Sequence, residues 1–155
     1  MGVSVVFAVP CVPIAQPRQR HRAVTANGRT FVANYTPKKD PVNAFKAAIR
    51  DACKKVYNGP PLDGPIRVAL TFIMPRPKGL YWKTKAMPRR WHETRPDFDN
   101  LTKAACDALS TQAWRDDAQI CDVHIRKLIA AGDEAPHALI EVASLLAENV
   151  EEKDR

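Results

Sequence analysis

Two aspartate clusters contain the side chains of this sequence that are best suited to phosphate chemistry. The first is Asp97 and Asp99, which follow Pro96 and precede a predicted helix, and the second is the doublet Asp116–Asp117. Asp97 and Asp99 project to the same side if the chain is extended there, because side chains alternate along extended backbone. Two carboxylates so placed repel each other unless a cation lies between them, and Mg²⁺ needs only one or two carboxylates with water and phosphate. The pattern is compatible with a divalent-metal site.

Lys103 lies four residues after Asp99, one turn further along the predicted helix and on the same face. Two interpretations are open for it. One is a surface ion pair with Asp99, worth about 0.3–0.5 kcal/mol. The other is a cation that stabilises charge developing on a phosphate or orients the attacking water. Asp107 continues the same stripe and is interpreted as a helix ion pair or hydrogen-bond partner.

The charge of the 155 residues is divided unevenly. Residues 1–95 have 18 basic and 4 acidic residues, a net charge of +14, whereas residues 96–155 have a net charge of −7. A nuclease needs cations to hold phosphates and carboxylates to hold a metal against them, so this division favours one. The predicted DNA-binding residues are Arg18, Arg20, Arg22, Arg76, Lys78, Lys83, Lys85, Arg89, Arg90 and Arg95.

Hydrophobic periodicity predicts the elements that position these residues. They are strands over 3–9, 66–74, 118–128 and 137–143, and helices over 41–56 and 100–110. Residues 14–39 are predicted to be a long loop with a short hairpin at Asn27–Gly28, and residues 75–95 an exposed basic loop. Strands and helices in this order indicate one α+β domain over 1–145, followed by an acidic tail over 146–155.

The four cysteines predict neither a disulfide framework nor a zinc site, because none of them has C-x-x-C spacing. They are interpreted as buried or half-buried reduced thiols. No apolar run approaches the ~20 residues of a membrane-spanning helix, and no basic segment precedes the first apolar run, so a secretory signal is not expected. A cytoplasmic protein without membrane contact is expected. Trp114 is interpreted as a packing residue.

The D-x-D spacing alone is compatible with other classes of protein. A calcium-binding EF-hand is excluded because Thr102 and Ala108 occupy the positions of its required Gly and Glu. A D-x-D glycosyltransferase has little room in a chain without a nucleotide-binding βαβ unit. A non-catalytic basic nucleic-acid-binding protein, in which the aspartates are only helix caps, stays open.

An ordered series of motifs resembles the RusA family of Holliday junction resolvases. The motifs are Arg95-Pro96-Asp97-Phe98-Asp99-Asn100-Leu101, Lys103-Ala104, Asp107-Ala108-Leu109 and Asp116-Asp117-Ala118-Gln119-Ile120. The core of the family reads P-D-x-D-N-x-x-K, then D-A-L, then D-D-x-Q. A first strand followed by proline and a basic segment, and a later strand that ends in Pro-Arg-Pro-Lys, are also similar. The basic segment between Met74 and Arg95 is longer than in compact members.

The resemblance implies a RusA-like α+β fold, with a small mixed sheet and two main helices packed on it. It implies a Mg²⁺- or Mn²⁺-dependent endonuclease that resolves four-way DNA junctions by paired symmetric nicks in recombination and repair. Asp97, Asp99 and Asp117 match the metal-binding aspartates of the family and Lys103 its essential lysine, while Asp116 is a candidate outer-shell neighbour. A homodimer and a phage or prophage origin are also implied. A nuclease for other branched DNA is the alternative.

Overall fold

The computed structural model describes residues 2–146, and most of its elements follow the hydrophobic pattern of the sequence. The strands are β1 (Ser4–Val9), β2 (Arg20–Ala26), β3 (Arg29–Tyr35), β4 (Ile66–Met74), β5 (Arg90–Trp91), β6 (Ile120–Ile129) and β7 (His137–Ser144). The helices are α1 (Pro41–Val56) and α2 (Phe98–Leu109). The predicted helix over 41–56 and strand over 66–74 are confirmed residue for residue, because each has a regular apolar face.

Five strands form a mixed sheet in the order β1-β7-β4-β6-β5. The central strands β4 and β6 are parallel, whereas the other pairs are antiparallel. A parallel pair cannot be joined by a tight turn and needs a crossover, which α2 supplies here. The predicted α+β fold, a small mixed sheet with two main helices packed on it, is confirmed.

The hydrophobic core lies between the two helices and one face of this sheet. Val68, Leu70 and Phe72 of β4 alternate toward it, and Phe45 and Ile49 of α1 are buried against them. The intervening side chains of β4 line a shallow cavity on the opposite face with residues of β6 and β7. The helices therefore cover one face, and α2 is fixed against the sheet by its small and apolar side chains.

The segment 14–39 contains more structure than a loop. Strands β2 and β3 pair over seven residues each around the predicted turn, where Asn27 and Gly28 have φ angles of 51° and 70°. Positive φ at both central residues is typical of the tight turn that suits a two-residue hairpin. Periodicity did not indicate these strands because neither of them has a buried face.

The prediction that Arg76 contacts DNA is wrong, because this side chain is only 6% exposed. Its guanidinium donates hydrogen bonds to the carbonyl oxygens of Leu80 (2.8 Å), Pro88 (2.9 Å) and Ala130 (3.2 Å). It also lies over the ring of Trp82, 5.2 Å from the centroid. Arg76 therefore anchors the 75–95 segment to the domain from inside, and this segment is only partly the exposed loop that its composition predicts.

The sequence also predicted an acidic tail at the end of the chain and no membrane-spanning helix. The predicted acidic tail over 146–155 lies outside the described residues, apart from Leu146. Within residues 2–146, neither helix has the length and apolar character needed to cross a membrane.

Candidate active site

Asp97 and Asp99 lie at the start of the crossover helix α2. Asp97 is the N-cap residue, and its backbone carbonyl accepts the first helical hydrogen bond from the N–H of Leu101 at 3.2 Å. Its side chain makes no capping hydrogen bond among the described residues. The Oδ1 atom of Asp99 accepts from the N–H of Asn100 at 2.9 Å. Both side chains are exposed, and the positive end of the helix dipole favours two negative charges there.

A cleft beside the first turn of α2 is lined by Asp97, Asp99, Glu93 and Lys127. Arg95 lines it too, so the cleft combines three carboxylates with one ammonium and one guanidinium group. A second cleft is lined by Asp97, Arg18 and Arg95, and Arg95 also lines the first cleft. Cationic side chains therefore lie beside carboxylates in both clefts, and cations of this kind can hold a phosphate.

Lys127 holds the segment that leads into the first aspartate. Its Nζ atom donates to the carbonyl oxygens of Thr94 at 2.6 Å and Pro96 at 2.7 Å. These two bonds fasten the residues before Asp97 to strand β6. Sequence reasoning missed Lys127, because the pairing of β5 with β6 brings it to the aspartates from a distant part of the chain. It also did not single out Glu93, four residues before Asp97.

The doublet Asp116–Asp117 lies after the other end of α2, in a short 3₁₀ turn. The Oδ1 atom of Asp116 accepts from the N–H of Ala118 at 2.8 Å, and the Oε1 atom of Gln119 accepts from the N–H of Asp116 at 2.9 Å. This is a reciprocal capping box. The amide of Gln119 also donates to the carbonyl of Leu62 at 2.9 Å. Asp116 and Gln119 therefore fix the turn that presents Asp117.

Asp117 is held against the helix that begins at the first aspartates. Its Oδ1 atom accepts from the indole Nε1 of Trp114 at 2.7 Å, and the complete burial of Trp114 confirms its packing role. Burial, followed by the nearby carboxylates of Asp117 and Asp107, raises the pKa of Cys106 to about 12. Asp117 is thus fixed by Trp114, in the segment that follows the end of α2.

The structure groups Asp97 with Asp99 and does not group Asp117 with them. Within residues 2–146 there is no set of three His, Cys, Asp or Glu side chains that could hold a metal ion. The two exposed carboxylates nevertheless fit Mg²⁺, which prefers oxygen ligands and needs only one or two carboxylates beside water and phosphate. The three-aspartate site stays a prediction.

Lys103 is exposed on α2 and lines a cleft with Asn34 and Tyr35. Within the described residues it forms no ion pair with Asp99, so the surface-pair interpretation is wrong for this structure. Asp107 pairs with Lys46 of α1 at 3.5 Å. The interpretation of Asp107 as an ion-pair partner is therefore confirmed, although its partner belongs to the other helix.

The remaining predicted DNA-binding residues are on the surface. They are Arg18, Arg20, Arg22, Lys78, Lys83, Lys85, Arg89, Arg90 and Arg95. Arg89 differs from the others, because its Nε atom donates to both carboxylate oxygens of Glu134, at 2.9 and 3.0 Å. A phosphate must compete with that carboxylate for Arg89.

Residues 10–143 match the family described as Endodeoxyribonuclease RusA. The chain belongs to the RusA family. It is therefore an endodeoxyribonuclease, a hydrolase that acts on DNA, in a family that cuts Holliday junctions and depends on divalent metal. This finding removes the glycosyltransferase and the non-catalytic binding protein as interpretations. No curated protein matches the sequence.

Proposed function

We propose that this RusA family member resolves four-way DNA junctions by paired symmetric nicks that require Mg²⁺ or Mn²⁺, in DNA recombination and repair. The observation that carries the proposal is the cleft at the start of α2, where Asp97 and Asp99 are exposed beside Lys127. Arg18 and Arg95 line a second cleft with Asp97, and Arg95 lines the first cleft as well. This arrangement can hold a metal and a phosphate against each other.

The proposed roles follow from the chemistry of each side chain. Asp97 and Asp99 would hold the metal, and Asp117 is the proposed third ligand, with Asp116 fixing its turn. When bound, the metal lowers the pKa of a water molecule and neutralises charge on the phosphate. Lys103 is proposed to stabilise developing charge or to orient the water. The exposed basic residues would bind phosphates along the junction arms.

The proposal also covers the oligomeric state, the extent of the domain and the location of the protein. Two symmetric nicks need two active centres, so a homodimer is proposed. Residues 1–145 are proposed to form the single nuclease domain, which is supported by one continuous core and by the match over residues 10–143. A cytoplasmic location remains an expectation from the cysteine pattern and the first residues of the sequence, and a phage or prophage origin remains an expectation from the family resemblance.

The test is cleavage of a labelled four-way junction by variants of the first cluster. Asp97→Asn and Asp99→Asn should each lower the Mg²⁺-dependent rate by roughly 100-fold or more, since loss of even the groups that support metal ligands costs about 10–100-fold. Binding in EDTA should be retained or improved, because a charge that repels phosphate is gone. Asp51→Asn, an exposed residue of α1, is the matched control and should cut at the wild-type rate.

Two outcomes contradict the proposal in different ways. Wild-type cleavage by Asp97→Asn would show that this cluster does not hold the metal. Equal cleavage of four-way junctions, three-way junctions and flaps by the wild-type protein would instead indicate a nuclease for branched DNA in general.

A further inference from the structure

The hairpin of β2 and β3, here called the ribbon (residues 20–35), stands apart from the main sheet. The two strands form a sheet of their own, and no side chain between residues 20 and 35 is buried. Yet Phe31 is 51% exposed and Tyr35 39%. An isolated two-stranded hairpin is only marginally stable in water, so apolar side chains kept on its surface indicate a contact with another molecule.

The pairing register divides the ribbon into two chemically different faces. Residues directly opposite each other in an antiparallel pair share a face, and successive residues alternate between faces. The pairs Arg20–Tyr35, Arg22–Ala33, Val24–Phe31 and Ala26–Arg29 form one face. The pairs His21–Asn34, Ala23–Val32 and Thr25–Thr30 form the other. The first, here called the basic-aromatic face, combines three arginines with two aromatic rings.

The second face uses its polar groups within the ribbon. The Nδ1 atom of His21 and the Oδ1 atom of Asn34 are 2.6 Å apart, and the hydroxyl oxygens of Thr25 and Thr30 are 3.0 Å apart. The basic-aromatic face has no such internal partners for its charges. Residues 1–39 contain no Asp or Glu at all, and none of the ribbon arginines forms an ion pair within residues 2–146.

One arginine and one ring of this face are already stacked. The guanidinium of Arg22 lies over the ring of Tyr35, 5.2 Å from its centroid. Stacking of this kind limits the freedom of both side chains. The face is therefore prepared for a planar, negatively charged ligand, which describes a nucleotide better than a peptide or a lipid.

The base of the ribbon lies next to the candidate active site. Asn34 and Tyr35 line a cleft with Lys103 of α2. The segment before the ribbon is tied to the same helix, since the N–H of Gln16 donates to the carbonyl of Asn100 at 2.9 Å. A strand that lies along the basic-aromatic face can thus continue to α2 without leaving the protein surface.

We propose that the basic-aromatic face binds unpaired DNA nucleotides at the branch point, with its arginines on phosphates and Phe31 stacked on a base. The inference rests on the proposed function and adds the surface that distinguishes branched DNA from linear duplex. Aromatic rings stack on unpaired bases of any sequence, whereas bases inside a duplex are already stacked. The arginines supply the affinity that depends on salt.

The decisive experiment compares two adjacent residues on opposite faces. Full-length Phe31→Ala and Val32→Ala proteins are titrated in EDTA, by fluorescence anisotropy, against a labelled four-way junction, a linear duplex and a single strand. Phe31→Ala should weaken junction and single-strand binding roughly tenfold and change duplex binding less than twofold. Val32→Ala, more exposed but on the other face, should bind like wild type.

The arginines are tested by the salt dependence of junction binding. Arg22→Gln and Arg29→Gln should each reduce the slope of log K against log salt concentration by roughly one. Arg115→Gln is the control, because that exposed arginine pairs with Asp63 outside the ribbon. Melting curves of all variants should match wild type, since the ribbon contributes nothing to the core.

The outcomes separate this inference from the proposed function. Equal loss of junction and duplex affinity in Phe31→Ala would overturn stacking on unpaired bases and indicate insertion into a groove. Unchanged binding by Phe31→Ala, in a protein whose wild type nicks junctions with Mg²⁺, would overturn the role of the ribbon alone. Binding that depends on Phe31 without nicking would instead overturn the proposed function alone.

Discussion

At the scale of single residues, Arg89 and Glu134 show how an intramolecular carboxylate competes with DNA. The hydrogen bond from Arg89 is the main reason that the pKa of Glu134 lies below its usual value. Glu134→Gln should release Arg89 and tighten junction binding about two- to fivefold, with a steeper dependence on salt. Anisotropy titrations at several salt concentrations measure this. Unchanged affinity would show that Arg89 does not face the DNA.

The same pair predicts a pH dependence of stability. Because the pKa of Glu134 is lowered on folding, its contribution is present above the unfolded-state pKa and is lost as the pH falls through the folded value. Surface pairs of this kind contribute about 0–1 kcal/mol. The difference in Tm between wild type and Glu134→Gln should therefore be small near pH 7 and absent near pH 3. A difference that persists at pH 3 would assign the stabilisation to packing.

Lys127 is predicted to position the first aspartate cluster. Lys127→Met removes both hydrogen bonds to the carbonyls of Thr94 and Pro96, so cleavage should fall roughly tenfold or more. Hydrogen exchange in residues 93–99 should also accelerate in the absence of metal. Arg126→Met is the matched control, because Arg126 lines the cavity on the other face of the sheet. Unchanged exchange in Lys127→Met would refute the positioning role.

Local features of single residues could be predicted from the sequence, whereas contacts between distant segments could not. The exposure of Asp97 and Asp99 at a helix start was predictable, since both signals lie within a few residues. The neighbourhood of Lys127 was not, because it depends on strand pairing between distant segments. The burial of Arg76 was not predictable either, since arginines are rarely buried and its partners are backbone carbonyls.

At the scale of elements, regular apolar faces made α1 and β4 predictable to the residue, whereas the ribbon has no such face.

The 75–95 segment is held to the domain by the hydrogen bonds of Arg76. Arg76→Ala should destabilise the domain by about 2–4 kcal/mol, because three carbonyls lose a charged donor. Thermal or urea unfolding measures this, and Arg90→Ala, an exposed neighbour, should have little effect. Equal stability of both variants would contradict the anchoring role.

At the scale of the whole molecule, the parallel pair of β4 and β6 determines the layout. Its crossover contains α2, which begins at the first aspartates and leads at its end into the turn of Asp116 and Asp117. The sequence could not predict the strand order, because that order follows from contacts between residues distant along the chain. The proposed third ligand is therefore the residue whose substitution is most informative.

The proposed cleavage by two symmetric nicks predicts that the active species is a homodimer. Sedimentation should give twice the mass of one chain at the concentrations used for cleavage. Mixing wild-type and Asp97→Asn chains should yield species that nick only one strand of the junction. A monomer that cuts both strands would contradict this prediction.

The ribbon enters the chain between β1 and α1 and takes no part in the main sheet. Changes in the length or the side chains of the ribbon should therefore leave the strand order of the main sheet and the positions of the aspartates unchanged. Substitutions in the ribbon can therefore change which DNA structures such a nuclease binds during evolution, while the residues that cleave DNA stay the same. The same separability offers protein engineers a place to redirect the enzyme without rebuilding it.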